Sequence, residues 1–176
     1  MKARGILWVP FALFAVLAAA FWWGLHRPEN GAVPSRMVGQ PVPSFALPAA
    51  ASDRPALTSL AFSKGQPRLL NIFASWCVPC AAEASQLRAL AAAGVPIDGI
   101  AIRDARADVD DFLRRWGNPY SHIGLDARSQ VQIEIGSSGV PETFLIDGKG
   151  RIVAQHIGPL SDADVPEMIR QWKAAR

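Results

Sequence analysis

The stretch Leu69 to Glu83, LLNIFASWCVPCAAE, constrains the fold more than any other part of the chain. An apolar run from Leu69 to Phe73 breaks at Ala74-Ser75-Trp76 into Cys77-Val78-Pro79-Cys80, and a helical pattern starts at once. The only two cysteines among 176 residues therefore stand where a strand hands over to a helix. Two thiols with two residues between them can close into a small disulfide ring and reopen. At a helix start, unpaired backbone N–H groups stabilise a thiolate on the outer one. With about 100° per residue and Cys77 at zero, Cys80, Ala84, Leu87, Leu90 and Ala91 fall in one apolar stripe between about 220° and 340°. The stripe predicts a buried Cys80 and a Cys77 at its edge, so Cys77 is read as the attacking thiol and Cys80 as the resolving one. Pro79 suits the first turn of a helix, and Gly94 followed by Pro96 ends one predicted over Val78 to Ala93. Lowering a thiol pKa from about 8.5 to about 7 raises its thiolate fraction at neutral pH from roughly 3% to roughly half.

The formal charge of +3 invites a nucleic-acid reading until the chain is divided. Lys2, Arg4, Arg27 and Arg36 are basic and Glu29 acidic before residue 38; subtracting these from 18 basic and 15 acidic residues leaves 14 of each afterwards. The remainder is neutral and shows no basic stripe with interleaved aromatics, which argues against nucleic acid as a partner. Half of the residues are hydrophobic, ample for one core with an appendage. His26, His122 and His156 are remote from one another, and with two cysteines they do not supply the four ligands of a zinc site. No metal and no cofactor is expected.

Ile6 to Leu25 is a run of 20 residues without a charge, about 30 Å as a helix and matched to a bilayer's hydrocarbon core. Lys2 and Arg4 precede it, and Trp8 at one end and Trp22-Trp23 at the other resemble interfacial anchors. Residues 1–5 then read as a cytoplasmic tip, 6–25 as one N-terminal transmembrane helix acting as a signal anchor, 26–37 as a polar tether and 38–176 as a translocated domain. A cleavable signal peptide is the other reading, with Ala18-Ala19-Ala20 as its processing site. Against it, the apolar run continues through Phe21, Trp22 and Trp23.

Within the domain, the proline-rich stretch Pro41 to Pro48 is expected as an edge strand or extended cover that Leu57 to Leu60 pairs with. Arg68 to Phe73 predicts a buried strand, Ile97 to Ile102 a second, parallel one, and Asp108 to Trp116 a helix ended by Gly117-Asn118-Pro119. His122 to Leu125 suits a short strand, while Gln130 to Ile135 fits a helix or a strand equally. Thr143 to Ile146 and Ile152 to Ile157 flank Asp147-Gly148-Lys149-Gly150, a hairpin signal. Ser161 to Lys173 closes the chain as a helix with Ser161 and Asp164 in a capping box. Alternating strands and helices followed by a hairpin imply an α/β three-layer sandwich around a mixed central sheet.

Three stretches make the pattern specific: Trp76-Cys77-Val78-Pro79-Cys80-Ala81-Ala82-Glu83, Gly117-Asn118-Pro119-Tyr120 and Gly139-Val140-Pro141-Glu142-Thr143-Phe144-Leu145-Ile146-Asp147. From about Val38 to Leu160 the chain resembles the thioredoxin fold and, within it, the DsbE/CcmG family of membrane-anchored periplasmic reductases of cytochrome c maturation. The resemblance implies a cis-proline at Pro141 facing the cysteines, Val140 offering its backbone to an incoming peptide, and Trp76 packing near substrate. It implies no cofactor. It further implies a periplasmic protein disulfide reductase of the inner membrane, whose substrate is the oxidised CxxCH pair of apocytochrome c or a CxxC-bearing maturation protein. Electrons would come from a transmembrane dithiol carrier of the DsbD/CcdA type.

Glu83 lies at about 240° on the same wheel, inside the apolar stripe, an odd place for a carboxylate. A buried acid there can take the proton of the inner thiol; bending out to water is the alternative. Thioredoxin carries a buried aspartate on the strand before its cysteines where this chain has Asn71. That departure moves the proton-handling role to Glu83, with Glu142 as a second candidate. Two other functional classes remain open at this point: an oxidising or general disulfide exchanger of the DsbA or TlpA sort, and a docking module without turnover.

Overall fold

The computed structural model describes residues 8–25 and 37–176, which divide into two units, one ending at Pro34 and one from Ser35 onward. In the first, helix α1 spans Val9–Leu25 and is apolar on all sides. At 17 residues it is about 26 Å long. No helix among the described residues is long and apolar enough to cross a membrane. Ile6, Leu7, the tip at 1–5 and most of the tether lie outside the described residues.

The second unit is built on a five-stranded sheet. Its elements are a short ribbon of β1 (Ala46–Leu47) and β2 (Leu57–Thr58), a 3-10 turn at Ser59–Ser63, β3 (Arg68–Phe73), α2 (Val78–Ala82) and α3 (Ala84–Ala92). There follow β4 (Ile97–Ile102), α4 (Arg106–Trp116), β5 (Ile123–Asp126), α5 (Gln130–Glu134), β6 (Glu142–Ile146), β7 (Ile152–Ile157) and α6 (Asp164–Ala174). The strands lie in the order β5-β4-β3-β6-β7. β3, β4 and β5 run parallel, whereas β6 and β7 are antiparallel to their neighbours. The sheet is thus mixed, as expected. Parallel neighbours force helical crossovers, and because β3 to β4 and β4 to β5 step the same way, right-handed connections set α3 and α4 on the same face. α6 packs against α3.

Burial follows the apolar runs. Leu69, Leu70, Ile72 and Phe73 of β3 are buried, as is every residue of β4. The Pro41–Pro48 stretch pairs through β1 with β2, and single bridges join Pro41 to Arg151 and Ala49 to Gly124, so it covers sheet edges as expected. At the end of the sheet where β3 begins, buried Asp98 accepts two hydrogen bonds from Arg68 (2.6 and 2.8 Å) and lies 2.8 Å from His122 Nδ1. Paired in this way, a buried carboxylate is tolerated.

Two expectations change and one open alternative closes. The single helix over Val78 to Ala93 is interrupted at Glu83, whose φ of −85° and ψ of −2° separate α2 from α3; the break coincides with the residue whose carboxylate turns into the core. Residues 130–134, compatible with either state, are helical. The last helix begins at Asp164, not Ser161: the Asp164 carboxylate accepts the Ser161 N–H (2.7 Å) and hydroxyl (2.5 Å), half of a capping box formed one turn early.

Candidate active site

The end of β3 delivers the cysteines. Ala74 to Trp76 make a turn that is tied down from the end of β4: Asp104 accepts the Ser75 N–H (2.6 Å) and hydroxyl (2.7 Å), and the Trp76 indole N–H donates to the Arg103 carbonyl (3.2 Å). Trp76 stays 57% exposed over that loop. Cys77 then caps α2, its sulfur accepting the Cys80 N–H at 3.2 Å, with Pro79 in the first turn where no N–H is needed. The two cysteines are joined as a disulfide, with Cα atoms 5.3 Å apart.

Both cysteines sit in the core in this oxidised form. Cys77 is 5% exposed and Cys80 2%, a smaller difference than the helical stripe implied. Closing a ring between residues three apart draws the outer sulfur inward onto its partner. The flanking side chains stay outside, Val78 at 81% exposure.

Beneath the cysteines lies a chain of buried polar groups. Glu83, three residues after Cys80 and so on the same helical side, is fully buried. Its Oε1 accepts from Asn71 Nδ2 (2.9 Å) and its Oε2 from the Leu160 N–H (2.8 Å). Asn71 also donates to Thr143 Oγ1 (3.0 Å) and accepts the Tyr120 hydroxyl at 2.7 Å. Burial raises the Glu83 carboxyl from its ordinary 4.5 to about 7, against the lowering effect of its two hydrogen bonds, the Leu160 N–H first and Asn71 second. Tyr120 is pushed well above its ordinary value, first by burial and then by the Glu83 charge, so its hydroxyl remains a donor.

Tyr120 is aimed by the motif that carries it. Gly117 ends α4 with φ +91°, Asn118 Oδ1 takes the Tyr120 N–H (3.1 Å), and the ring stacks on Phe73 with centroids 5.0 Å apart. It lies flat on the sheet because Gly99 beneath it has no side chain; a Cβ there would come within 3.1 Å of the tyrosine ring. The motif is visible in the sequence, whereas the place of Tyr120 at the site depends on its contacts with the distant Asn71 and Phe73. The pairing of Asp104 with Ser75 and the Leu160 N–H had no sequence signal, since each joins segments far apart in the chain.

The other expected residues stand on the loop into β6. The Val140–Pro141 bond is cis. Since Ile72 pairs with Glu142, Pro141 lies beside the end of β3, the end from which Cys77 emerges. Among the described residues the Val140 backbone N–H and C=O enter no hydrogen bond. Glu142 is buried, its Oε1 accepting from the Ser138 N–H (2.8 Å), the Ser138 hydroxyl (2.5 Å) and the Gly139 N–H (3.2 Å), and its Oε2 from Gln155 (2.9 Å). Its carboxylate therefore ties the loop that carries Pro141. Among the described residues no group of three metal-ligating side chains occurs.

A disulfide between cysteines three positions apart, its outer sulfur accepting a backbone N–H, followed by a buried carboxyl pushed up to about 7, suits thiol–disulfide exchange. Comparison with known proteins agrees. Residues 37–171 match the Redoxin family. The chain is 39% identical over 162 residues to the thiol:disulfide interchange protein DsbE of Tatumella citrea, covering 90% of this chain and 88% of the relative. It is 30% identical over 167 residues to the thiol:disulfide interchange protein HelX of Rhodobacter capsulatus, covering 95% and 94%. The crystal structure of a putative thiol:disulfide interchange protein DsbE from Chlorobium tepidum superposes with a TM-score of 0.64 at 27% identity, over 77% of this chain and 94% of that one.

Proposed function

This chain belongs to the Redoxin family, among its DsbE-type thiol:disulfide interchange proteins, and from that premise we propose that it is a membrane-anchored periplasmic reductant of protein disulfides in cytochrome c biogenesis. It is a thiol:disulfide oxidoreductase; the direction, compartment and substrate are the parts proposed. The observation that carries the reading is the Cys77–Cys80 pair with Glu83 buried behind it and set near pH 7.

The exchange runs in two displacements. The Cys77 thiolate, stabilised by the Cys80 N–H, attacks one sulfur of the substrate disulfide. That S–S bond breaks, its electron pair leaves on the other substrate sulfur, which takes up a proton, and a mixed disulfide forms. Cys80 then gives its proton to the Glu83 carboxylate and attacks the Cys77 sulfur; the mixed S–S bond breaks, the Cys77–Cys80 disulfide closes, and the second substrate sulfur leaves with the electron pair and takes up a proton. Two electrons pass to the substrate. An external dithiol must return them, and a transmembrane carrier of the DsbD/CcdA sort fits a protein held at an inner membrane.

Trp76 directly precedes Cys77, and the Val140–Pro141 edge lies beside the end of β3 from which Cys77 emerges. The unused backbone groups of Val140 can pair with an extended substrate segment, as a sheet edge does. Glu142 holds that loop in place and serves as a positioning residue, with Glu83 as the proton acceptor. The proposed substrate is the oxidised CxxCH pair of apocytochrome c or a partner thiol protein holding it. Alkylation trapping in growing cells tests the direction. A pair found mostly reduced, turning oxidised when the electron donor is removed, agrees; a pair fully oxidised in the presence of the donor contradicts it and favours an oxidase. Loss of cytochrome c in a Cys77→Ser, Cys80→Ser double variant separates exchange from docking, which would survive it.

A further inference from the structure

Beside the cysteines runs a groove of about 420 Å³ between the outer side of α2 and α3 and the end of α4. Val78, Ala81, Ala82 and Ser85 form one wall, Trp116, 41% exposed, forms the other, and Arg88 stands at the far end. Val78, which opens the groove, follows the attacking cysteine directly in the chain. Arg88 is distinct among its lining residues: its stem lies against Gly117, where an added Cβ would meet Arg88 Cδ at 2.6 Å, yet its guanidinium has no ion pair or hydrogen bond among the described residues. An apolar channel ending in a held, unpaired cation is complementary to an apolar segment ending in a carboxylate.

We propose that this groove seats the substrate polypeptide next to its attacked disulfide and that Arg88 selects an acidic side chain there. The proposal rests on the reading of the site as a reductant of protein disulfides. Val78 in α2 and Arg88 in α3 are ten positions apart, an axial rise of about 15 Å across the break at Glu83. An extended chain covers that distance in four or five residues at about 3.3 Å each. The preferred carboxylate therefore lies four or five residues from the attacked cysteine.

The test uses the full chain in detergent, reduced, with disulfide-closed Cys-x-x-Cys peptides that carry one Glu, Gln or Lys four residues outside the ring on either side. Each reduction rate is divided by that for uncharged hydroxyethyl disulfide. The Glu peptide is expected to react roughly fivefold faster than the Lys peptide, with the ratio approaching one in high salt and inverted in Arg88→Glu. Equal rates for Glu and Lys, or a preference that survives Arg88→Glu, overturn the proposal. Binding of the same peptides with Ser for Cys, read by fluorescence anisotropy, separates the two readings. If no disulfide is reduced but Glu still binds over Lys through Arg88, the groove stands and the reductant reading fails. Sedimentation of the chain alone covers the remaining occupant: a dimer dispersed by Arg88→Glu gives the groove to a second copy and overturns the proposal.

Discussion

Glu83 holds a carboxyl group in a site without water contact, and the consequence has a definite sign. Its folded value of about 7 lies above the ordinary 4.5, so the native state binds the extra proton between these limits. The stabilisation is complete below pH 4.5 and is lost as the pH rises through 7, a change of about 3 kcal/mol for a shift of this size. Glu83→Gln should remove that pH dependence, at the cost of one buried donor left without an acceptor, so that its stability differs less between pH 5 and pH 8 than the parent's does, as urea unfolding at the two pH values will read. The same substitution should slow release of a mixed disulfide and flatten its rise with pH near 7, in stopped-flow measurements of the Cys80 step. An unchanged profile would remove Glu83 from the proton path. Tyr120→Phe leaves the buried Asn71 Oδ1 without its donor and should cost roughly 1 to 3 kcal/mol in denaturant unfolding; no change would mean that water replaces the hydroxyl.

At the scale of elements, the site is assembled where β3 and β4 end and β6 begins. Asp104 at the end of β4 fixes the turn before Cys77. Asp104→Ala should therefore lower exchange with protein disulfides and destabilise by about 1.5 to 3 kcal/mol, the range for a hydrogen bond to a charged group. Asp104→Asn, which keeps one acceptor, should recover part of both, as rates and melting curves will show. The strands, the hairpin and the placement of the cysteines were legible because local periodicity and turn residues encode them: Leu69 to Phe73, Ile97 to Ile102 and Asp147 to Gly150 read correctly without knowledge of their neighbours. Glu83 was also legible, as a charge inside an apolar stripe. The kink at Glu83, its Leu160 partner and the polar chain from Tyr120 through Asn71 were not, since they depend on contacts between distant segments. The near-equal burial of the two cysteines was not, because a helical wheel takes no account of ring closure.

On the scale of the whole molecule, the domain after residue 38 carries balanced charge, so long-range attraction contributes little to its encounters. Confinement beside a membrane would raise the effective concentration of donor and substrate instead. The uncharged run from Ile6 to Leu25 should keep the intact chain with the membrane pellet through a carbonate wash. Recovery of a shortened form in the soluble fraction would indicate cleavage near Ala18-Ala19-Ala20.

Reducing power at the Cys77–Cys80 pair is the claim on which the proposed function turns, and equilibrium with a dithiothreitol or glutathione couple measures it directly. The full chain in detergent is expected to show a potential nearer that of thioredoxin, about −270 mV, than that of a strong periplasmic oxidant, about −120 mV. A value close to the oxidant's would contradict the account, for the pair would then draw electrons from its substrates rather than supply them.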